Sequence, residues 1–73
     1  MPNFGELKRY LERNGWTIYR KTDHWYYKKT MDDGTVLTTR VSHALGKEIP
    51  HYIWKKILVQ QLHITQEEFN RGK

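Results

Sequence analysis

Apolar residues recur every three or four positions near the start of the chain and every second position in its middle, and this change of period sets the expected elements. Phe4, Leu7 and Leu11 form a helical stripe, Asn3 and Glu6 have capping-box spacing, and Asn14-Gly15 supplies a left-handed stop, so a first helix is expected over roughly 3–14. From Trp16 the period is two. Trp16 and Ile18 alternate with Thr17, Tyr19 and Lys21, while His24, Tyr26 and Lys28 alternate with Trp25 and Tyr27, which predicts two strands with His24 at the start of the second. Asp32-Asp33-Gly34 is a hairpin signal. The β-branched run Val36 to Val41 then makes a third strand, with Leu37, Thr39 and Val41 on one face.

A loop over 42–48 carries Gly46, and Pro50 suits the first turn of a second helix. Ile53, Trp54, Ile57, Leu58, Gln61 and Leu62 form its apolar stripe, with Lys55, Lys56 and Gln60 on the other side. Thr65 and Glu68 repeat the capping-box spacing, and Ile64 and Phe69 stand where a hydrophobic staple needs them, so a short terminal helical turn is expected. The order is α-β-β-β-α. It implies an α+β fold in a single domain over residues 1–73: a three-stranded antiparallel sheet, two helices on one face, and the other face left for solvent or a ligand.

Composition narrows what that face could meet. A chain of 73 residues holds one core and excludes a two-domain enzyme. The absence of cysteine excludes a disulfide framework and a thiolate zinc site, and it points to a reducing compartment. No apolar run approaches the ~18 residues of a membrane span and the N-terminus lacks a signal pattern, so a cytoplasmic protein is expected. Thirteen Lys and Arg against eight Asp and Glu leave a net charge of +5, which favours a polyanionic partner, nucleic acid or an acidic protein. Three Trp and five Tyr are too many for a disordered basic tail. Trp16, Trp25 and Trp54 are in phase with the apolar stripes and are expected in the core.

Histidines are the side chains that titrate near neutral pH, and His24 stands out among the four because Tyr26 and Lys28 share its strand face. A base, an aromatic hydroxyl and an ammonium projecting from one surface are the parts needed to bind RNA and activate a ribose 2′-hydroxyl. His43 lies in the loop after the third strand, a position open to binding or to plain solvent exposure. His51 and His63 flank the second helix as solvent or capping residues. No histidines have i, i+4 helical spacing and no carboxylate cluster surrounds one, so no metal centre is expected, leaving only magnesium carried in on a phosphate ligand. Arg20, Lys21, Lys28, Lys29 and Arg40 fall on strands and Lys47, Lys55 and Lys56 beyond them, and alternation lets only part of this set share a face.

Several segments resemble those of HicA-type toxins from bacterial toxin-antitoxin pairs. Leu7-Lys8-Arg9-Tyr10-Leu11-Glu12-Arg13-Asn14-Gly15-Trp16 is similar to the family's opening helix, and His24-Trp25-Tyr26-Tyr27-Lys28 to its histidine-led second strand. Val41-Ser42-His43 with Gly46-Lys47-Glu48-Ile49-Pro50 resembles its histidine loop, and Ile57–Leu62 with Thr65–Phe69 its closing helix and tail. The resemblance implies a double-stranded-RNA-binding-like fold, cleavage of mRNA without a metal or other cofactor, a catalytic histidine at His24, and neutralisation by a HicB-type antitoxin. On that reading His24 acts as base or acid on the 2′-hydroxyl, Lys28 with Arg40 or Lys47 stabilises charge on phosphate, and Tyr26 or His43 supplies the second proton transfer at the RNA. One departure stands out: Thr22-Asp23 replaces the Gly-Ser that usually precedes the family's histidine. On an extended strand Asp23 is expected to point away from His24 while its charge still opposes phosphate. A non-catalytic RNA-binding module and a protein-interaction domain for an acidic partner fit the same residues.

Overall fold

Asn3 caps the first helix as its spacing predicts, its Oδ1 accepting from the Glu6 N–H at 2.8 Å. The computed structural model describes residues 2–73, and in it α1 runs Phe4–Arg13, burying Leu7, Tyr10 and Leu11. Gly15, at φ +84°, turns the chain out of the helix into β1 (Thr17–Lys21). β2 (Trp25–Thr30) and β3 (Val36–Val41) complete an antiparallel sheet of order β1-β2-β3. The β2-β3 hairpin closes on a Met31 N–H to Thr35 carbonyl bond of 2.7 Å, with Gly34 at φ +91° and the Asp33 carboxylate accepting from the Thr35 N–H at 2.9 Å.

The second helix begins after Pro50. α2 (His51–Lys56) runs without a break into wider π-type turns over Ile57–Leu62 and stops where His63 turns left-handed at φ 57°. α3 (Gln66–Gly72) carries the full reciprocal capping box between Thr65 and Glu68. Among the described residues no helix is long and apolar enough to cross a membrane.

Burial separates the two sheet faces. Tyr27, Leu37, Thr39 and Val41 are buried toward the helices, while Lys28, Thr38 and Arg40 are exposed on the opposite face and Tyr26 is half-buried there. This is the expected α+β architecture. Phe69 fills the centre of the core, its ring 5.0 Å from Tyr10 and 4.7 Å from Trp54, and the Trp54 indole N–H donates to Gln66 Oε1 at 2.6 Å. The loop after β3 is anchored on α1, whose Phe4 and Gly5 N–H groups donate to the Lys47 and Leu45 carbonyls at 3.1 and 2.8 Å. Those bonds satisfy first-turn donors that no helical partner can reach.

Three local expectations are corrected. Trp25 is half-buried rather than fully in the core: at the start of β2 it packs against the edge of the core, with Lys8 Nζ 5.1 Å from its ring centre. Strand β1 does not alternate cleanly: Ile18 pairs with Tyr27 but Arg20 pairs with Tyr26, so Tyr19 is an extra, bulged residue. His24 lies in the turn just before β2 instead of in the strand, its carbonyl accepting from the Thr22 N–H at 3.1 Å.

Candidate active site

The bulge at Tyr19 decides what the open face presents. Unbroken pairing from Thr17–Lys28 would set Tyr19 opposite Tyr26 and leave Arg20 on the helix side; one extra residue moves Arg20 opposite Tyr26 instead. Tyr26 also pairs with Arg40 across β2 and β3. An Arg20–Tyr26–Arg40 row therefore crosses all three strands, with Lys28 in the next open-face row between Thr17 and Thr38. The Arg20 guanidinium lies 5.5 Å from the Tyr26 ring centre, and Lys28 Nζ lies 5.7 Å from that of Tyr19. Neither row carries a carboxylate, so the face is positive and aromatic together.

At the end of that row the β1-β2 turn gathers a second group. Asp23 does not point away from His24 as an extended strand requires, because the chain here is a tight turn that folds the carboxylate back. Its Oδ2 lies 3.1 Å from His24 Nδ1, and its Oδ1 accepts from the Thr22 hydroxyl at 2.9 Å and the Tyr26 hydroxyl at 3.0 Å. These donors, Thr22 foremost and then His24 and Tyr26, hold the Asp23 carboxyl well below the usual carboxylate range. An ionised Asp23 only accepts, so His24 Nδ1 carries the proton and donates it. Nε2 is left as the free nitrogen.

The His24 ring is about one-third exposed and lines a cavity of about 230 Å³ shared with Phe4, Arg40, Ser42, Ile57 and Gln61, where the end of the sheet meets α2. Its ring centre is 6.3 Å from that of Tyr26. Tyr26, Lys28 and Arg40 thus share the open face, and Tyr26 and Arg40 flank His24. His43 does not join them: its ring lies 4.4 Å from that of Trp25, and Trp25 pairs with buried Val41. Lys47 sits in the loop against the N-terminus of α1, off the sheet face. Among the described residues no cluster of three His, Asp or Glu is arranged to hold a metal ion.

Three contributors escape the sequence pattern. Arg20 reaches the face only through the bulge, Asp23 joins it only through the turn, and Gln61 lines the His24 cavity from the helix side, its Oε1 accepting from the Thr39 hydroxyl at 2.5 Å. The sole sequence signal for the first two is the polar run Tyr19 to Asp23, which leaves no apolar residue to enforce strict alternation.

Residues 4–64 match the family model described as the HicA toxin of bacterial toxin-antitoxin systems. No curated protein and no solved structure matches the chain.

Proposed function

The chain belongs to the HicA toxin family of bacterial toxin-antitoxin systems, and we propose that it is a metal-independent endoribonuclease that cuts mRNA with His24 and is blocked by a HicB-type antitoxin. Family membership makes it the toxin of such a pair and gives it an antitoxin as partner. The observation that carries the catalytic reading is the 3.1 Å contact of Asp23 with His24 Nδ1, at the end of a cationic, carboxylate-free face.

On this reading Arg20, Lys28 and Arg40 take the phosphates of the RNA and Tyr26 lies among them as an aromatic surface. Neutral His24 accepts the ribose 2′-hydroxyl proton at Nε2, and the 2′-oxygen attacks the adjacent phosphorus. The bond from phosphorus to the 5′-oxygen breaks, and that oxygen takes a proton. The products are a 2′,3′-cyclic phosphate and a 5′-hydroxyl end. Asp23 stabilises the imidazolium that forms and keeps the ring in one tautomer, the role a carboxylate plays beside histidine in other hydrolytic sites. Arg40, which lines the His24 cavity, neutralises charge gathering on the phosphate. Of the two groups available to protonate the leaving oxygen, Tyr26 shares the open face and His43 lies against Trp25, so Tyr26 is assigned the role. Its hydroxyl proton, held on Asp23 before reaction, goes to the leaving oxygen, and the proton that His24 took from the 2′-hydroxyl is returned to Tyr26 through solvent. The substrate places the protein in the cytoplasm.

Purified wild-type and His24→Ala protein incubated with RNA in excess chelator test the assignment. The wild type is expected to give cyclic-phosphate ends, and His24→Ala to lose roughly 10²- to 10⁴-fold in rate, the usual contribution of a general base. Equal cleavage by both proteins, cleavage abolished by the chelator, or intact RNA recovered from a tight complex with the wild type would each overturn it.

A further inference from the structure

Beside the His24 cavity lies a second one of about 320 Å³, lined by Tyr19, Tyr26, Thr38, Thr39, Arg40 and Gln61. The two share Arg40 and Gln61, so they are adjoining compartments. We propose that this second cavity is a base-specificity subsite that takes a keto base, guanine or uracil, of single-stranded RNA; the assignment rests on the ribonuclease reading of the neighbouring site.

The walls fit a flat, acceptor-rich ring. Tyr19 and Tyr26 stand with ring centres 6.2 Å apart and planes tilted by 51°, and Tyr19 is 48% exposed with Lys28 Nζ 5.7 Å from its ring centre, so the wall offers an exposed aromatic surface with a cation beside it for stacking. A base paired within a duplex cannot leave its stack to use such a face, which makes the ligand single-stranded. The polar edge is set by Gln61, whose Oε1 is taken by the Thr39 hydroxyl at 2.5 Å. Its side-chain amide is left with Nε2–H donors to offer. Arg40 on the same wall offers donors only. The Tyr26 hydroxyl does not compete, since it donates to Asp23 at 3.0 Å. Two donor groups on one cavity select acceptors, the O6 carbonyl with N7 of guanine or the carbonyls of uracil, over bases that present an amino group there. Gln61 comes from the π-type turns over Ile57–Leu62, a rare geometry that concentrates at functional sites. A base held here leaves its ribose and phosphate beside Arg40, where the His24 cavity begins.

The test is fluorescence anisotropy with labelled heptanucleotides that are 2′-O-methylated throughout, so that no cleavage occurs, carrying adenine everywhere except a varied central base. Wild-type protein is expected to bind the uracil or guanine oligomer roughly fivefold or more tighter than the adenine and cytosine ones. Comparing the two keto oligomers says which of them the cavity prefers. Gln61→Leu is expected to erase the preference while leaving affinity for the all-adenine oligomer within about twofold, and Gln61→Glu to turn it toward adenine and cytosine. Tyr19→Ala, at an exposed position that leaves the core intact, is expected to weaken the preferred oligomer by roughly tenfold. Equal binding of all four oligomers by the wild type, or a keto preference that survives both Gln61 substitutions, overturns the subsite. With His24-dependent cleavage intact that result leaves the ribonuclease reading standing; failure to bind any of the four oligomers also overturns the subsite, and loss of His24-dependent cleavage of unmodified RNA removes both.

Discussion

The Asp23 carboxylate holds donors from Thr22, His24 and Tyr26 at once, so replacing it alters the histidine and the tyrosine together. Asp23→Asn, similar in shape, is expected to slow RNA cleavage by about tenfold or more, short of the loss from removing the base itself, with Asp23→Glu recovering part of the rate. Single-turnover rates at saturating protein separate this from weaker binding. Asp23 also shapes acid stability. Its carboxyl is held below its ordinary value in the folded protein, so the ionised form favours folding above about pH 4, and that contribution is lost as pH falls through the unfolded value toward the folded one. Glu12, lowered chiefly by Lys8, and Asp33, lowered chiefly by the Thr35 backbone, act with the same sign. Melting temperature is therefore expected to drop on acidification below about pH 4, and Asp23→Asn to flatten that drop. At this scale the face of Tyr26, Lys28 and Arg40 was legible because alternation alone assigns it, whereas the same pattern sets His24 in the strand and it lies in the turn before β2. Asp23 and Gln61 were not legible, since a period says which side a residue occupies and nothing about which neighbour its polar atoms meet.

Strand β1 shows how one element can rearrange a whole surface. Its bulge brings Arg20 into the row with Tyr26 and Arg40, and each cation of the face should then count as a phosphate contact. Arg20→Gln, Lys28→Gln and Arg40→Gln are each expected to reduce the slope of log K against log salt for single-stranded RNA by ~0.7, whereas Lys55→Gln and Lys56→Gln on α2 leave it unchanged. Deleting Tyr19 is the sharper experiment: it removes the bulge while Arg20, now next to Ile18, stays opposite Tyr26, so the slope is expected to be unchanged with every cation on the same face. The elements themselves were readable from local chemistry. Asn3 and Thr65 cap their helices, Gly15 and Gly34 take the left-handed turns, and the stripe of Trp54, Ile57, Leu58 and Leu62 is buried. The bulge was hidden because it is a property of two strands in register, and β1, exposed along its whole length, has no apolar phase to betray it.

For the whole molecule, closure depends on α3, which lies beyond the residues that match the family model. Phe69 is fully buried between Tyr10 and Trp54, and Asn14 at the end of α1 donates its amide to the Gly72 carbonyl at 3.0 Å. Phe69→Ala is expected to cost about 3–5 kcal/mol in urea unfolding, a large part of what so small a domain has. Bound antitoxin works in the opposite direction: at a hundred times its Kd it adds about 2.7 kcal/mol to the folded state, so the complex should melt well above the free toxin. The sheet has two edges, and they are treated differently. The buried face of β3 packs on the turns that carry Gln61, while β1 is exposed along its whole length. A straight, flat strand in that place would template another copy of itself, but a bulge and the neighbouring charges of Arg20 and Lys21 spoil the match. The extra residue that arms the open face thus also works against edge-to-edge pairing with another copy.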